Sequence, residues 1–405
     1  MKRIIIWSLI IVFALSVAFI GTGCKTSTTA TTAAAETTAA TTAAETTVAE
    51  TKAAETTAAE TKSAELVDMT WVSPRGYLEI MGDYELWVAK EMGYFEANGI
   101  NLIMEGGPND AFATIKLVDQ GKADVGFPSP GVLCTGVDTG INVIGLFEMV
   151  LHQVFDFAVR PDSNINSFKD LEGKIISVWD QGAKVVIDPI LFEQGIDPNA
   201  VTLVVGGMQW GQTVWAGKAD AAISWIDNEV QWKAQGMDFK MLRGADYSKH
   251  PSNAFAVSKN DLKDPEKREL LTRFMRATAM GIHFTRFNPP AAAQITYNQF
   301  PALKEQMTPE IALQSFKGLH KEYSFGERLG NGYGWFDMDS WKSYLEAVYQ
   351  LGQTTKQLLP EDVVTNELLK EINDFDRAKV QQDAENFKLD DVWQKVAYDP
   401  KEWNF

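Results

Sequence analysis

Cysteine is nearly absent: Cys24 and Cys134 are the only two in 405 residues. That is too few for a disulfide framework or a thiolate zinc site. Histidine is scarce as well. His152, His250, His283 and His320 show neither HxxxH nor HxH spacing, so no metal site is expected. Basic charge is the third shortage, with 37 Lys+Arg against 54 Asp+Glu and a formal net charge of −17. A polyphosphate partner needs a basic face that releases counterions, so nucleic acid is not an expected partner. No Ser-His-Asp, paired-acid or phosphate-loop pattern is present either. What remains is a chain that is 45% hydrophobic and 22% charged, the balance of a folded protein with roughly two to three domains.

The first 65 residues read as address and tether. Lys2 and Arg3 precede an uncharged apolar run from Ile4 to Ile20. Gly21-Thr22-Gly23-Cys24 follows, and small residues before a lone cysteine resemble a bacterial lipobox, although Leu is preferred where Gly21 stands. The resemblance implies a lipoprotein signal peptide over 1–23, with Cys24 lipidated. An uncleaved membrane anchor is the alternative. Either way the rest of the chain is expected outside the cytoplasm, attached to the bacterial cell membrane. Residues 25–65 comprise 15 Thr, 14 Ala, 6 Glu, 3 Lys, 2 Ser and one Val. Nothing there can bury a core, so 24–65 is expected to be a disordered leash.

The remainder repeats itself. Gly121-Lys122-Ala123-Asp124 recurs 96 residues later as Gly217-Lys218-Ala219-Asp220, and Phe157-Ala158-Val159 recurs after 98 as Phe255-Ala256-Val257. Each tetrapeptide follows an amphipathic segment and precedes a short apolar run: helix, turn, buried strand. Strands are predicted over 69–72, 100–104, 174–178 and 201–205, with helices over 84–92 and 183–194 between them. Alternation of this kind predicts an α/β fold of two lobes, each a mostly parallel sheet flanked by helices. From Pro265 onward the 3.6-residue period predicts a helical C-terminal part, including a face of Trp341, Tyr344, Leu345 and Val348. Phe325 to Trp335 holds four glycines and is predicted to be a loop.

Several segments in order resemble the substrate-binding proteins of ABC importers in the thiamine-pyrimidine, riboflavin and aliphatic-sulfonate group. Trp87 to Phe95 (WVAKEMGYF) is similar to that group's AKExGYF signature, and Gly121 to Asp124 to its GxAD turn. Phe168 to Lys174 resembles its DLKGK entry to the second lobe, Leu191 to Asp197 its LxxxGID helix end, and Asp220 to Trp225 its DAAxxW stretch. Leu358 to Val363 is similar to its C-terminal helix entry. The resemblance implies a type 2 periplasmic-binding-protein clamp: lobe 1 from 66–156 plus 255–405, lobe 2 from 157–254, with crossings at Phe155–Val159 and Ala254–Val257. It also implies a monomer that carries a small molecule to an ABC permease, with no cofactor.

Ligands of parallel sheets sit at the carboxyl ends of the strands. The loops there hold Trp71, Asp83, Tyr84, Asn109, Ser129, Trp179, Gln181, Trp210, Trp225 and Asp227, the expected ligand-binding residues. Indole and phenol faces would sandwich a flat ring while amides and carboxylates read its edge. Trp87, Trp232 and Cys134 are expected in the core. A flat nitrogen heterocycle, such as a thiamine pyrimidine precursor or riboflavin, is therefore expected. The alternatives are a sulfonate, taurine or nitrate held by Arg75 or Lys184 at a helix start, and a ligand-sensing lipoprotein. A eukaryotic branch of the resembling family makes the thiamine pyrimidine by consuming its own histidine and a lysine-bound pyridoxal phosphate. That branch has a cysteine cluster lacking here, and its histidine aligns near Asp83, so the chain is not expected to be an enzyme. If Cys24 carries lipid, Cys24→Ala moves the protein out of the membrane fraction on cell fractionation. Deletion of 26–64 then leaves ligand affinity unchanged.

Overall fold

The computed structural model describes residues 65–403, apart from 109, 111 and 324. Cys24, the apolar run and almost all of the leash lie outside the described residues. Among those described, no helix is long and apolar enough to cross a membrane.

Ten strands form two five-stranded sheets. Strands β1 (Val67–Val72), β2 (Ile100–Glu105), β3 (Val125–Gly126), β4 (Val143–Glu148) and β10 (Ala254–Ser258) make the first, in the order β2-β1-β3-β10-β4. The second contains β5 (Asp156–Val159), β6 (Ile175–Val178), β7 (Thr202–Val205), β8 (Ala221–Ser224) and β9 (Lys240–Leu242), ordered β7-β6-β8-β5-β9. The two orders are the same pattern, as the repeated tetrapeptides implied.

The sheets are mostly parallel, as expected, with one exception each. Four of the five strands run the same way, and the fourth place is taken by a strand antiparallel to both neighbours: β10 in the first, β5 in the second. The reason is connectivity. Both strands arrive from the other lobe over short connections, the second holding one helical turn, Gly244–Tyr247, and such an entry is free to run antiparallel. The Phe-Ala-Val echo thus marks central strands, buried along their whole length, which explains their unbroken apolar run. The crossings themselves lie just before them, over 149–155 and 243–253.

The GxAD repeat performs one task twice. Gly121 and Gly217 adopt φ of 65° and 72°, the left-handed region that glycine enters without a Cβ penalty. The turn then lets each aspartate grip the first strand of its lobe. Asp124 Oδ2 accepts from the Thr70 amide at 2.8 Å, and Asp220 Oδ2 from that of Ile175 at 2.9 Å. Sequence elements therefore map onto the fold with small shifts at their ends, such as helix Tyr84–Glu91 and helix Lys184–Glu193.

The C-terminal part is helical. Asp264 caps the long helix Pro265–Phe287 by accepting from the amides of Glu266 and Lys267, as an N-cap aspartate does. Trp341, Tyr344, Leu345 and Val348 are buried on helix Met338–Gln350. The segment read as a loop from Phe325 contains a short helix, Phe325–Arg328. Trp87, Trp232 and Cys134 are buried in apolar clusters. Asp124→Ala removes a charge-assisted hydrogen bond to Thr70, and we expect a loss of about 1–2 kcal/mol in denaturant unfolding.

Candidate functional site

Between the sheets lies a cavity of about 660 Å³, within the size range of sites that enclose small organic ligands. Its lobe 2 wall is indole. Trp179 follows β6, Trp210 starts helix Trp210–Trp215, and Trp225 precedes helix Ile226–Ala234. Trp210 and Trp225 stack at 5.9 Å and 24°, and Trp179 stands edge-on to both, at 6.3 and 5.7 Å. Trp210 Nε1 donates to the Ile223 carbonyl at 2.8 Å, which fixes its plane. Lobe 1 contributes Arg75, Tyr77, Phe127, Ser129 and Tyr323. Ser129 precedes helix Pro130–Asp138, and its buried hydroxyl has no hydrogen-bond partner among the described residues.

The lobes touch around this cavity. A methyl group placed on Gly131 would lie 2.4 Å from the Val185 carbonyl oxygen, and one on Gly318 would lie 2.9 Å from Ile226. Tyr323 donates to the Gly82 carbonyl at 3.0 Å, and Asp227 of lobe 2 packs against Gly82 from the other side. At the crossings, Asp156 Oδ2 accepts from Arg243 Nη1 at 2.7 Å, and its Oδ1 accepts from the Gly244 amide at 2.9 Å. Arg243 also pairs with Glu229 at 2.7 Å.

Both guanidinium groups of the wall are thus spoken for. Arg75 Nη2 donates to both oxygens of Asp83, at 2.5 and 2.6 Å. Burial opposes the Arg75 charge, but Asp83 and then Asp227 more than restore it and hold its pKa above the ordinary value. Burial pushes Asp227 up to about 7, against the pull of Arg75 and with a further push from Asp83. Burial likewise lifts Asp156 to about 6, opposed by Arg243 and the Gly244 amide. Glu85, fully buried and without a hydrogen-bond partner for either oxygen among the described residues, is raised well above the carboxylate range. Desolvation is the common cause.

Of the expected site residues, Ser129, Trp179, Trp210, Trp225 and Asp227 line the cavity. The others do not. Trp71 is fully buried beside Phe127 and Phe255, at 6.2 and 6.1 Å, because its side chain takes the core face of β1. Tyr84 is also core: it stacks on Tyr323 at 5.4 Å and meets Phe316 edge-on at 4.4 Å. It supports Tyr323, which does reach the cavity. Asp83 stands behind Arg75, with no exposure. Gln181 borders a neighbouring groove of about 1200 Å³, where Lys184 pairs with Asp188 at 2.6 Å. Asn109 lies outside the described residues. Sequence reasoning missed Tyr77, Tyr323, Asp156 and Arg243. The last two are 87 positions apart, and no local pattern couples them.

The comparisons agree with this architecture. The model of the family described as "NMT1/THI5 like" matches residues 84–292, just over half of the chain. The chain belongs to the NMT1/THI5-like family. It is similar to 4-amino-5-hydroxymethyl-2-methylpyrimidine phosphate synthase of Legionella pneumophila, 24% identical over 231 residues, which are 55% of this chain and 72% of that one. The protein of the same name from Schizosaccharomyces pombe is 27% identical over 255 residues, 59% of this chain and 71% of that one. Among solved structures, the alkanesulfonate-binding protein SsuA of Xanthomonas axonopodis bound to MOPS has a TM-score of 0.57 at 12% identity, covering 75% of this chain and 99% of its own. The periplasmic aliphatic sulphonate-binding protein SsuA of Escherichia coli has a TM-score of 0.56 at 11%, covering 76% and 99%. The fold is thus that of the periplasmic binding proteins.

These relatives overturn one expectation. The chain was not expected to be an enzyme, yet the curated proteins it resembles bear the name of one. The pyridoxal phosphate of the enzymatic branch has little to hold it on the described wall. No histidine lines the cavity, and its one lysine, Lys321, is exposed. Those residues do not fit that group. Among the described residues, no cluster of His, Cys, Asp and Glu is placed to hold a metal ion.

Asp227 also makes stability depend on pH. Folding raises its pKa from the ordinary 3.8 to about 7, so between those values the folded state holds more protons than the unfolded one. Its contribution to stability is full near pH 4 and is lost as pH rises through 7, with Asp156 adding in the same sense up to about 6. Melting temperatures across this range should fall for the wild type, and Asp227→Asn should flatten the slope. Equal slopes in the two proteins would contradict it.

Proposed function

We propose that this protein captures a flat nitrogen heterocycle, of the thiamine-pyrimidine or riboflavin kind, in the cleft between its lobes. We further propose that it is an extracytoplasmic lipoprotein, anchored through Cys24, that delivers this ligand as a monomer to the permease of an ABC importer. The division into 66–156 with 255–405 and 157–254 is the one that such a hinged carrier requires. The observation that carries the reading is the indole wall of Trp179, Trp210 and Trp225, with Asp227 on the same cavity. Stacking on such faces is worth about 0.5–1.5 kcal/mol beyond the area buried, and a carboxylate beside them suits ring nitrogens and exocyclic amines. The curated relatives are named for making a pyrimidine, so the same ring class serves a protein that carries it and one that forms it.

Sulfonate binders share the fold, which makes an anion the second reading. The site chemistry favours it less. The cations suited to an anion, Arg75 and Lys184, are both ion-paired, with Asp83 and Asp188. The wall also carries five aspartates: Asp110, Asp156, Asp180, Asp227 and Asp246.

Mass spectrometry of small molecules released from the purified protein, followed by titration with tryptophan fluorescence as the signal, tests the reading. Riboflavin or an aminopyrimidine should quench the cleft indoles. Trp225→Leu stays apolar but removes the π face, and should weaken binding by about 1 kcal/mol or more. Saturable binding of taurine or nitrate with no response to any heterocycle would favour the anion.

A further inference from the structure

Arg75 is on the cavity wall, and Asp83 is behind it. Asp83 occupies the residue before helix Tyr84–Glu91, from which an aspartate ordinarily accepts from the first helical amides. It makes no such cap. Both of its oxygens are committed to Arg75 Nη2 instead, in a pair whose carboxylate has no exposure and whose guanidinium side chain keeps only 15%.

From across the cleft Asp227 joins the same neighbourhood. Its Oδ2 would lie 2.6 Å from a methyl group on Gly82, and its charge acts on Arg75. Asp83 balances Arg75 one for one, and Asp227 is the carboxylate left over. An anion approaching Arg75 meets a guanidinium whose charge is already matched and a second carboxylate beside it. Attraction is replaced by repulsion in a site where water screens poorly. A group that donates hydrogen bonds or carries positive charge meets the reverse.

We propose that Asp83 determines the charge class of the ligand: by locking Arg75 in a buried ion pair it bars anions and leaves Asp227 to receive a cationic or hydrogen-donating ring edge. The inference rests on the heterocycle reading above and adds to it the residue that sets selectivity. Asp83 itself touches no ligand; it acts through Arg75. Removing its charge therefore has a signature that a merely structural role lacks, a gain of affinity for the opposite charge.

The test holds the ring constant and changes only the charge. Pyridine sulfonate and aminomethylpyridine, substituted at the same ring position, are titrated calorimetrically near neutral pH. The full-length wild type, Asp83→Asn, and Asp83→Asn combined with Arg75→Gln are compared. The wild type should bind the amine at least tenfold more tightly than the sulfonate. Asp83→Asn should bind the sulfonate at least tenfold better than the wild type does and the amine less well, and the double variant should lose the sulfonate gain. A wild type that takes both pyridines equally would overturn the proposal, whether or not the variants fold. So would a folded Asp83→Asn with no gain, or a gain that survives the loss of Arg75. Binding of neither pyridine by any of the proteins would instead overturn the heterocycle reading, and this inference with it.

Discussion

Where the chain enters lobe 2, Asp156 holds the place where it leaves. Its carboxylate accepts from the Arg243 guanidinium and from the Gly244 amide, the first residues beyond β9 on the way back. One side chain thereby ties the two crossings together at the base of the cavity. Asp156 is nearly buried while Arg243 keeps 39% of its side chain exposed, so losing the arginine would leave the carboxylate with the Gly244 amide alone. Because β5 and β9 are neighbours in the second sheet, the pair fixes where both connections leave that sheet.

Around that staple the two lobes contribute different chemistry from the same topology. Each uses a GxAD turn to fasten its third parallel strand to its first, and each admits one antiparallel strand from its partner. Lobe 2 then turns three tryptophans toward the cleft, whereas lobe 1 turns two tyrosines, a phenylalanine, a serine and an ion-paired arginine. A ring between them would find a flat apolar face on one side and a polar rim on the other. The relatives, some named for binding and some for synthesis, show that this clamp is not tied to one use.

Much of the fold was legible because its signals are local. Gly121 and Gly217 announce their turns by needing positive φ, and the repeated Phe-Ala-Val announces full burial by its unbroken apolar run. The site was less legible, and the tryptophans show why. Trp71 and Trp225 both stand where a strand ends, and nothing in their neighbours separates them. Trp71 is still inside β1, on the face that packs against Phe127 and Phe255. Trp225 is one residue past β8, at the start of a helix, and so clears the sheet and reaches the cavity. A shift of one residue reverses the face in a strand.

The sequence by itself determined the class of fold, the duplication, the acidic character and the supply of aromatic residues, since composition and periodicity act over a few residues at a time. Only the tertiary structure decided which of these residues share a surface. Asp83 is eight positions from Arg75, Asp156 is 87 from Arg243, and Tyr323 is 241 from Gly82. Their pairing follows from how sheets and helices stack, and it is this pairing, not the number of charges, that ties Arg75 to Asp83 and sets Asp227 on the same cavity wall.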